Sequence, residues 1–219
     1  MIVSNRRVFA PLRLCLNYFS APRALKDYAT HIPILIGLAR LREVRSVLEF
    51  GCGHYSTLTF LNDSAFPHLE RLQSIENDDS WAQTINEAAR NDRRWQLQLV
   101  NGEIAESVAD LDLESFDLIL IDDSKISEQR AATIRAVAAK EPKHPWIVIH
   151  DFEFGEYRRA ASAFQQRHRF RGYNPETGVV TNQMNEWRSI DRVIKSKAKL
   201  LEPDAIAQWI DSFRQDVQD

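Results

Sequence analysis

The chain has 219 residues, 44% of them apolar and 27% charged, with a formal net charge of −3. That length suits one domain with a full core, and the balance is that of a globular chain and makes no general case for nucleic acid or membrane. Two cysteines, Cys15 and Cys52, make no disulfide framework and no Cys-x-x-Cys pair, which points to a reducing, cytoplasmic setting.

The opening residues, Met1 to Arg7, carry charge but lead into no apolar run of signal-peptide length. Residues 1–22 mix Arg6, Arg7 and Arg13 with Val8, Phe9, Leu12, Leu14, Leu16, Tyr18 and Phe19. An arm packed on the domain's own surface is favoured there over a membrane or partner contact. Ala24 to Arg42 predicts one or two helices, with Pro33 marking a break or a first turn. Its apolar run, Ile32 to Ala39, is too short to span a bilayer. Residues 1–45 therefore read as an arm and helices packed on a domain that occupies 46–219.

That domain opens with a short apolar strand, Val47 to Phe50, closed by Gly51-Cys52-Gly53, with a helix predicted over His54 to Asn62. Glycines let the chain turn sharply and keep side chains away from a ligand, and helix-start amides facing such a turn suit the polar part of a nucleotide-like molecule. Glu49 is an acid at the end of an otherwise apolar strand, where packing alone has little use for one. The alternation then continues. Leu72 to Glu76 reads as a strand, and Asp78, Asp79 or Ser80 can cap a helix with Trp81, Ile85, Ala88 and Ala89 on one face. Trp95 to Val100 is a third strand, and Phe116 to Ile121 is apolar enough for the middle of a sheet covered on both faces. Ala131, Ile134, Val137 and Ala138 mark a helix, Trp146 to Ile149 a fifth strand, and Tyr157, Ala160, Ala161 and Phe164 another helix. Such alternation implies a doubly wound α/β fold with a mainly parallel sheet. Phe170 to Tyr173 and Val179 to Thr181, around Asn174 to Gly178, predict a closing antiparallel hairpin. Residues 186–200 fit helix and strand equally, and Ile206, Trp209, Ile210, Phe213 and Val217 form a C-terminal helical stripe.

Ligands of open parallel sheets sit outside the carboxyl ends of the strands. In this sequence each of those ends carries an acid: Glu49 before Gly51, Cys52 and Gly53; Glu76 with Asn77; Glu103 after Gly102; Asp122 with Asp123 and Lys125; and Asp151 after His150. One such acid is commonly a helix cap, but five point to a single polar site. Glu76 suits both hydroxyls of a ribose. Glu103 suits an adenine amino group or the first turn of a helix. Asp122 closes the central strand beside the reacting end of the ligand.

These segments together, Val47-Leu48-Glu49-Phe50-Gly51-Cys52-Gly53, Ser74-Ile75-Glu76, Gly102-Glu103 and Phe116 to Asp122, resemble the class I S-adenosylmethionine-dependent methyltransferases over about residues 46–181. The resemblance implies a Rossmann-like seven-stranded sheet with helices on both faces and S-adenosylmethionine as cofactor. It also implies that Glu49 and the glycine turn flank the methionine portion, with Glu76 at the ribose and Glu103 at the adenine. His54-Tyr55-Ser56 stands where many members carry a third glycine. The turn also nearly fits a dinucleotide fingerprint, but Glu49 would place like charge beside a pyrophosphate, whereas a sulfonium cation tolerates acids.

Asp122-x-x-Lys125 followed by His150-Asp151 is similar to the catechol-type O-methyltransferases, which hold magnesium between Asp-x-x-Lys and Asp-Asn, and also to bacterial enzymes acting on sugars and natural products. A histidine in that set departs from an oxygen-only magnesium site. The expected roles are His150 as general base, Asp151 orienting it or binding metal, and Lys125 favouring an alkoxide-like oxygen. The expectation is thus O-methylation of a small-molecule or sugar hydroxyl, with magnesium left open, no nucleic-acid partner and no membrane span. The alternatives are a non-catalytic nucleoside-binding module and, behind it, an NAD-dependent enzyme.

Overall fold

The computed structural model describes residues 29–39, 41–89, 92–171 and 174–183. The expected arm over 1–22, the ambiguous stretch 186–200 and the C-terminal stripe lie outside the described residues. Seven strands form one sheet in the order β3-β2-β1-β4-β5-β7-β6. They are β1 (Ser46–Phe50), β2 (Arg71–Glu76), β3 (Trp95–Leu99), β4 (Leu118–Ile121), β5 (Trp146–Ile149), β6 (Gln166–Phe170) and β7 (Thr177–Thr181). Strands β1 to β5 pair in parallel, while β7 runs antiparallel to both β5 and β6.

Alternation of side chains along each strand builds two cores, one on each face. Val47, Leu72, Leu118, Leu120, Trp146 and Val148 face one way and pack on α1 (Ile32–Ala39) and on Phe60 of α2 (Thr57–Leu61). Leu48, Phe50, Ile75, Ile119, Ile121, Ile147 and Ile149 face the other. They meet α5 (Ser127–Ala139) through Ala131, Ile134 and Val137, and α6 (Gly155–Ala160) through Tyr157 and Ala160. In α1 only Pro33 escapes full burial, so the apolar run is a core helix with its proline in the first turn. Among the described residues no helix is long and apolar enough to cross a membrane.

Three expectations shift. Trp81 is 39% exposed, and the buried stripe of α3 (Asp79–Ala88) runs instead through Ala82 and Ile85 to Ala89, just beyond its last turn. The helix after β5 ends at Ala160 and a 3-10 turn, Ala161–Ala163, completes the crossover. Strand β6 begins at Gln166, four residues before the expected start, and β7 at Thr177. Gln166-Arg167-His168-Arg169 carries no apolar signal because β6 is an edge strand, where polar side chains protect unpaired backbone.

Parallel register brings the strand ends level. Ile75, Phe50, Ile121 and Ile149 lie side by side across β2, β1, β4 and β5. The next residues, Glu76, Gly51, Asp122 and His150, therefore form one row at the carboxyl edge, on both sides of the β1–β4 switch point. Backbone bonds extend the ladder into this row, from Gly51 N to Ile75 O (2.9 Å), Asp122 N to Phe50 O (3.0 Å) and His150 N to Ile121 O (3.2 Å).

Candidate active site

The glycine turn is braced from below. Glu49 is fully buried, and its Oε2 accepts hydrogen bonds from Ser74 Oγ (2.6 Å) and Thr57 Oγ1 (2.7 Å). Thr57 Oγ1 in turn accepts from Gly53 N at 3.0 Å, so the acid steers the turn through a hydroxyl. Burial pushes the Glu49 carboxyl up to about 7, and its Oε1 has no partner. Gly51 adopts φ +84°, and its Cα lies against the Asp122 and Asp123 backbone, which leaves no room for a side chain.

Above the turn, Glu76 collects backbone donors. Its Oε2 accepts from Cys52 N (3.1 Å), and its Oε1 from Asn77 N (2.8 Å) and Asp78 N (3.0 Å). The Cys52 thiol is also aimed at Glu76 Oε2, and burial raises its pKa out of the reactive range. Asn77 Nδ2 donates to Gly102 O at 2.9 Å, joining the β2 and β3 ends. Glu103 precedes α4 (Ile104–Ser107) as an exposed residue making no side-chain cap bond. Trp81 turns outward to donate Nε1–H to Cys52 O (2.6 Å), with its ring edge-on to His54 at 5.5 Å.

The β4 and β5 ends make a second cluster. Asp122 Oδ1 lies 3.2 Å from His150 Nδ1 and 3.0 Å from Arg130 Nη2. Arg130, from α5, also donates Nη1–H to Asp151 Oδ2 (2.6 Å), Nε–H to Asp123 O (2.5 Å) and Nη2–H to Ser124 O (2.9 Å). The other His150 nitrogen, Nε2, is 2.9 Å from Thr30 Oγ1, and the His31 ring stands T-shaped to His150 at 4.9 Å. Burial alone would raise Asp122, yet His150 and Arg130 hold it well below the usual carboxylate range. Burial alone would likewise lower His150, but the Asp122 carboxylate overcomes it and favours the imidazolium. Asp123 is buried with only Thr133 Oγ1 on its Oδ2 (2.6 Å), and desolvation pushes it up to about 7.

The sequence-derived set thus divides. Asp122, His150 and Asp151 come together, and Gly51, Cys52, Gly53, Glu76, Asn77 and Gly102 border one another. Lys125 is exposed. Arg130, Thr30 and His31 were not anticipated. The only hint was two polar residues, Thr30 and His31, placed directly before an apolar helix. A separate cleft lined by Ala109, Leu111, Lys140 and Pro142 includes none of the strand-end acids. There Lys140 Nζ donates to the carbonyls of Val108, Ala109 and Leu111.

The strand order, the glycine turn at the β1–β4 switch point and the terminal antiparallel pair define the class I methyltransferase fold. Among solved structures the chain is similar to an O-methyltransferase, provisionally so assigned, from Klebsiella pneumoniae, at 20% identity and TM-score 0.51, covering 84% of this chain and 93% of that one. It is similar to a provisionally assigned caffeoyl-CoA O-methyltransferase from Staphylococcus aureus at 12% identity and TM-score 0.53, covering 78% and 97%. Spermidine synthase from Thermotoga maritima aligns at 19% identity and TM-score 0.50, covering 74% of this chain, which spans 61% of that synthase. No protein-family model and no curated protein matches the sequence.

Proposed function

We propose that the chain is an S-adenosylmethionine-dependent methyltransferase acting on a hydroxyl of a small molecule or sugar in the cytoplasm. The observation that carries this reading is the row Glu76–Gly51–Asp122–His150 across the switch point, an acid-rich edge suited to a cationic ligand. When bound, the cofactor supplies an electrophilic methyl group on a positively charged sulfur. Glu76 is the proposed ribose acceptor: Oε1 accepts from Asn77 N and Asp78 N, while Oε2, with Cys52 N as its one backbone donor, offers a ribose hydroxyl the lone pair that now faces the Cys52 thiol. Gly51, Cys52 and Gly53 would border the amino-acid portion with no bulky side chain at either glycine, and Asn77, Gly102 and Glu103 continue the same edge toward the base. Glu49 acts through Thr57, from beneath the turn. A dinucleotide fits worse. The helix after the turn, α2, has only five residues, and an acid lies buried under its first turn where a pyrophosphate would need positive potential.

On the acceptor side stand Asp122, His150 and Asp151, with Lys125 further out. Both His150 nitrogens are engaged and the ring is 3% exposed, so it is no open base in this state. An acceptor hydroxyl reaches Nε2 only by taking the place of the Thr30 hydroxyl.

Glu76→Ala tests the cofactor side. Loss of a charged acceptor from the ribose is expected to weaken S-adenosylhomocysteine binding by at least about tenfold, equivalent to about 1.4 kcal/mol. Calorimetric titration reads the affinity, and a melting curve beside Glu76→Gln shows whether the loop survives. Unchanged affinity in a folded variant moves the ribose elsewhere.

A further inference from the structure

We propose that His31, Asp122 and His150 form a binding site for one transition-metal ion of the zinc class. The proposal deepens the reading of the acceptor side, but it needs no methyl transfer and stands on three side chains whose ligating atoms all lie within 4.8 Å of one another. His31 supplies the decisive observation. Its ring is 1% exposed, and both of its nitrogens are buried without a hydrogen-bond partner. A buried imidazole left in that condition is costly, and such groups in folded proteins ordinarily have a partner.

The other two donors already stand as ligands of one ion would. His150 Nδ1 and Asp122 Oδ1 are 3.2 Å apart, and two atoms each about 2.1 Å from a shared ion lie about 3.0–3.4 Å from one another. His150 Nε2 meets Thr30 Oγ1 at 2.9 Å, the outer hydrogen bond that fixes the ring of a metal-bound histidine. Arg130 fixes both carboxylates, donating to Asp122 Oδ1 (3.0 Å) and to Asp151 Oδ2 (2.6 Å). The donors that converge are two imidazoles and one carboxylate, which suits zinc or cobalt and not magnesium. Three protein ligands leave a coordination position open, as catalytic zinc sites do. His150 then serves as a ligand in place of a base, and His31 brings the N-terminal helix into the site.

The test uses the full chain, stripped with a chelator and dialysed against Zn²⁺, with Co²⁺ as a spectroscopic probe. One Zn²⁺ per chain is expected, together with a visible Co²⁺ absorption band that Zn²⁺ abolishes and millimolar Mg²⁺ leaves in place. His31→Ala should weaken Zn²⁺ at least about tenfold, while His144→Ala, which removes a surface histidine at the other end of the sheet, leaves it unchanged. Absence of stoichiometric Zn²⁺ and of the cobalt band in the wild type overturns the proposal without relying on any variant. So does a His31→Ala protein that binds Zn²⁺ as the wild type does. Titration of S-adenosylhomocysteine on the stripped protein is read separately, so a failed metal site and a failed cofactor reading are told apart.

Discussion

Asp122→Ala is expected to cost about 3 kcal/mol of stability at neutral pH, because removing one partner of a buried ion cluster strands the others. Arg130 and His150 have side chains only 6% and 4% exposed, and both face Asp122 Oδ1. Arg130 keeps Asp151, and His150 can shed its proton, so the cost stays at the lower end for such changes. For a chain of this size the melting temperature should fall by about 6–12 °C. Asp122→Asn, which keeps an oxygen acceptor, should lose less. Urea denaturation of the three proteins reads the result, and a loss under about 1 kcal/mol for Asp122→Ala would mean that the cluster is solvated and contributes little.

Gly51→Ala should be at least as damaging. A left-handed residue with a side chain costs about 1–2 kcal/mol on its own. Here the added Cβ would also stand 2.7 Å from Asp122 O and Asp123 Cα and 2.8 Å from Asp123 N. These are backbone atoms of the neighbouring strand end, so relief requires β1 and β4 to separate. A total of about 3 kcal/mol or more is expected. Gly53→Ala is the matched comparison, since its Cβ would meet only the movable Ser56 hydroxyl at 3.3 Å. It should cost less than about 1 kcal/mol. Equal losses at the two positions, measured by urea denaturation, would contradict this account of the turn.

The contrast between these glycines shows what the sequence discloses. Gly-x-Gly after an apolar strand signals a turn, but which glycine is obligatory depends on how closely β4 approaches, and that is a matter of sheet order. Glu76 and Asp122 were legible because both close apolar strands, and neighbouring parallel strands end at the same level. Glu49 was legible as an unusual acid, yet its bonds to Thr57 and Ser74 depend on a neighbouring strand and on the helix above. Arg130 lay hidden in an ordinary helical stripe, because a buried cation has no local pattern; its partners come from the ends of two strands. His31 was hidden at the start of a helix whose packing face no local periodicity discloses. Trp81 was read as core from helical spacing, but its indole N–H finds the Cys52 carbonyl at the rim.

The central claim is that the acid-lined row at the carboxyl edge holds a sulfur nucleoside. It is tested most directly by titrating the wild-type chain in a calorimeter with S-adenosylmethionine, S-adenosylhomocysteine and NAD in turn. Saturable one-to-one binding of both sulfur nucleosides, with no heat from NAD, is the predicted result. Tight binding of NAD with neither sulfur nucleoside bound would contradict it.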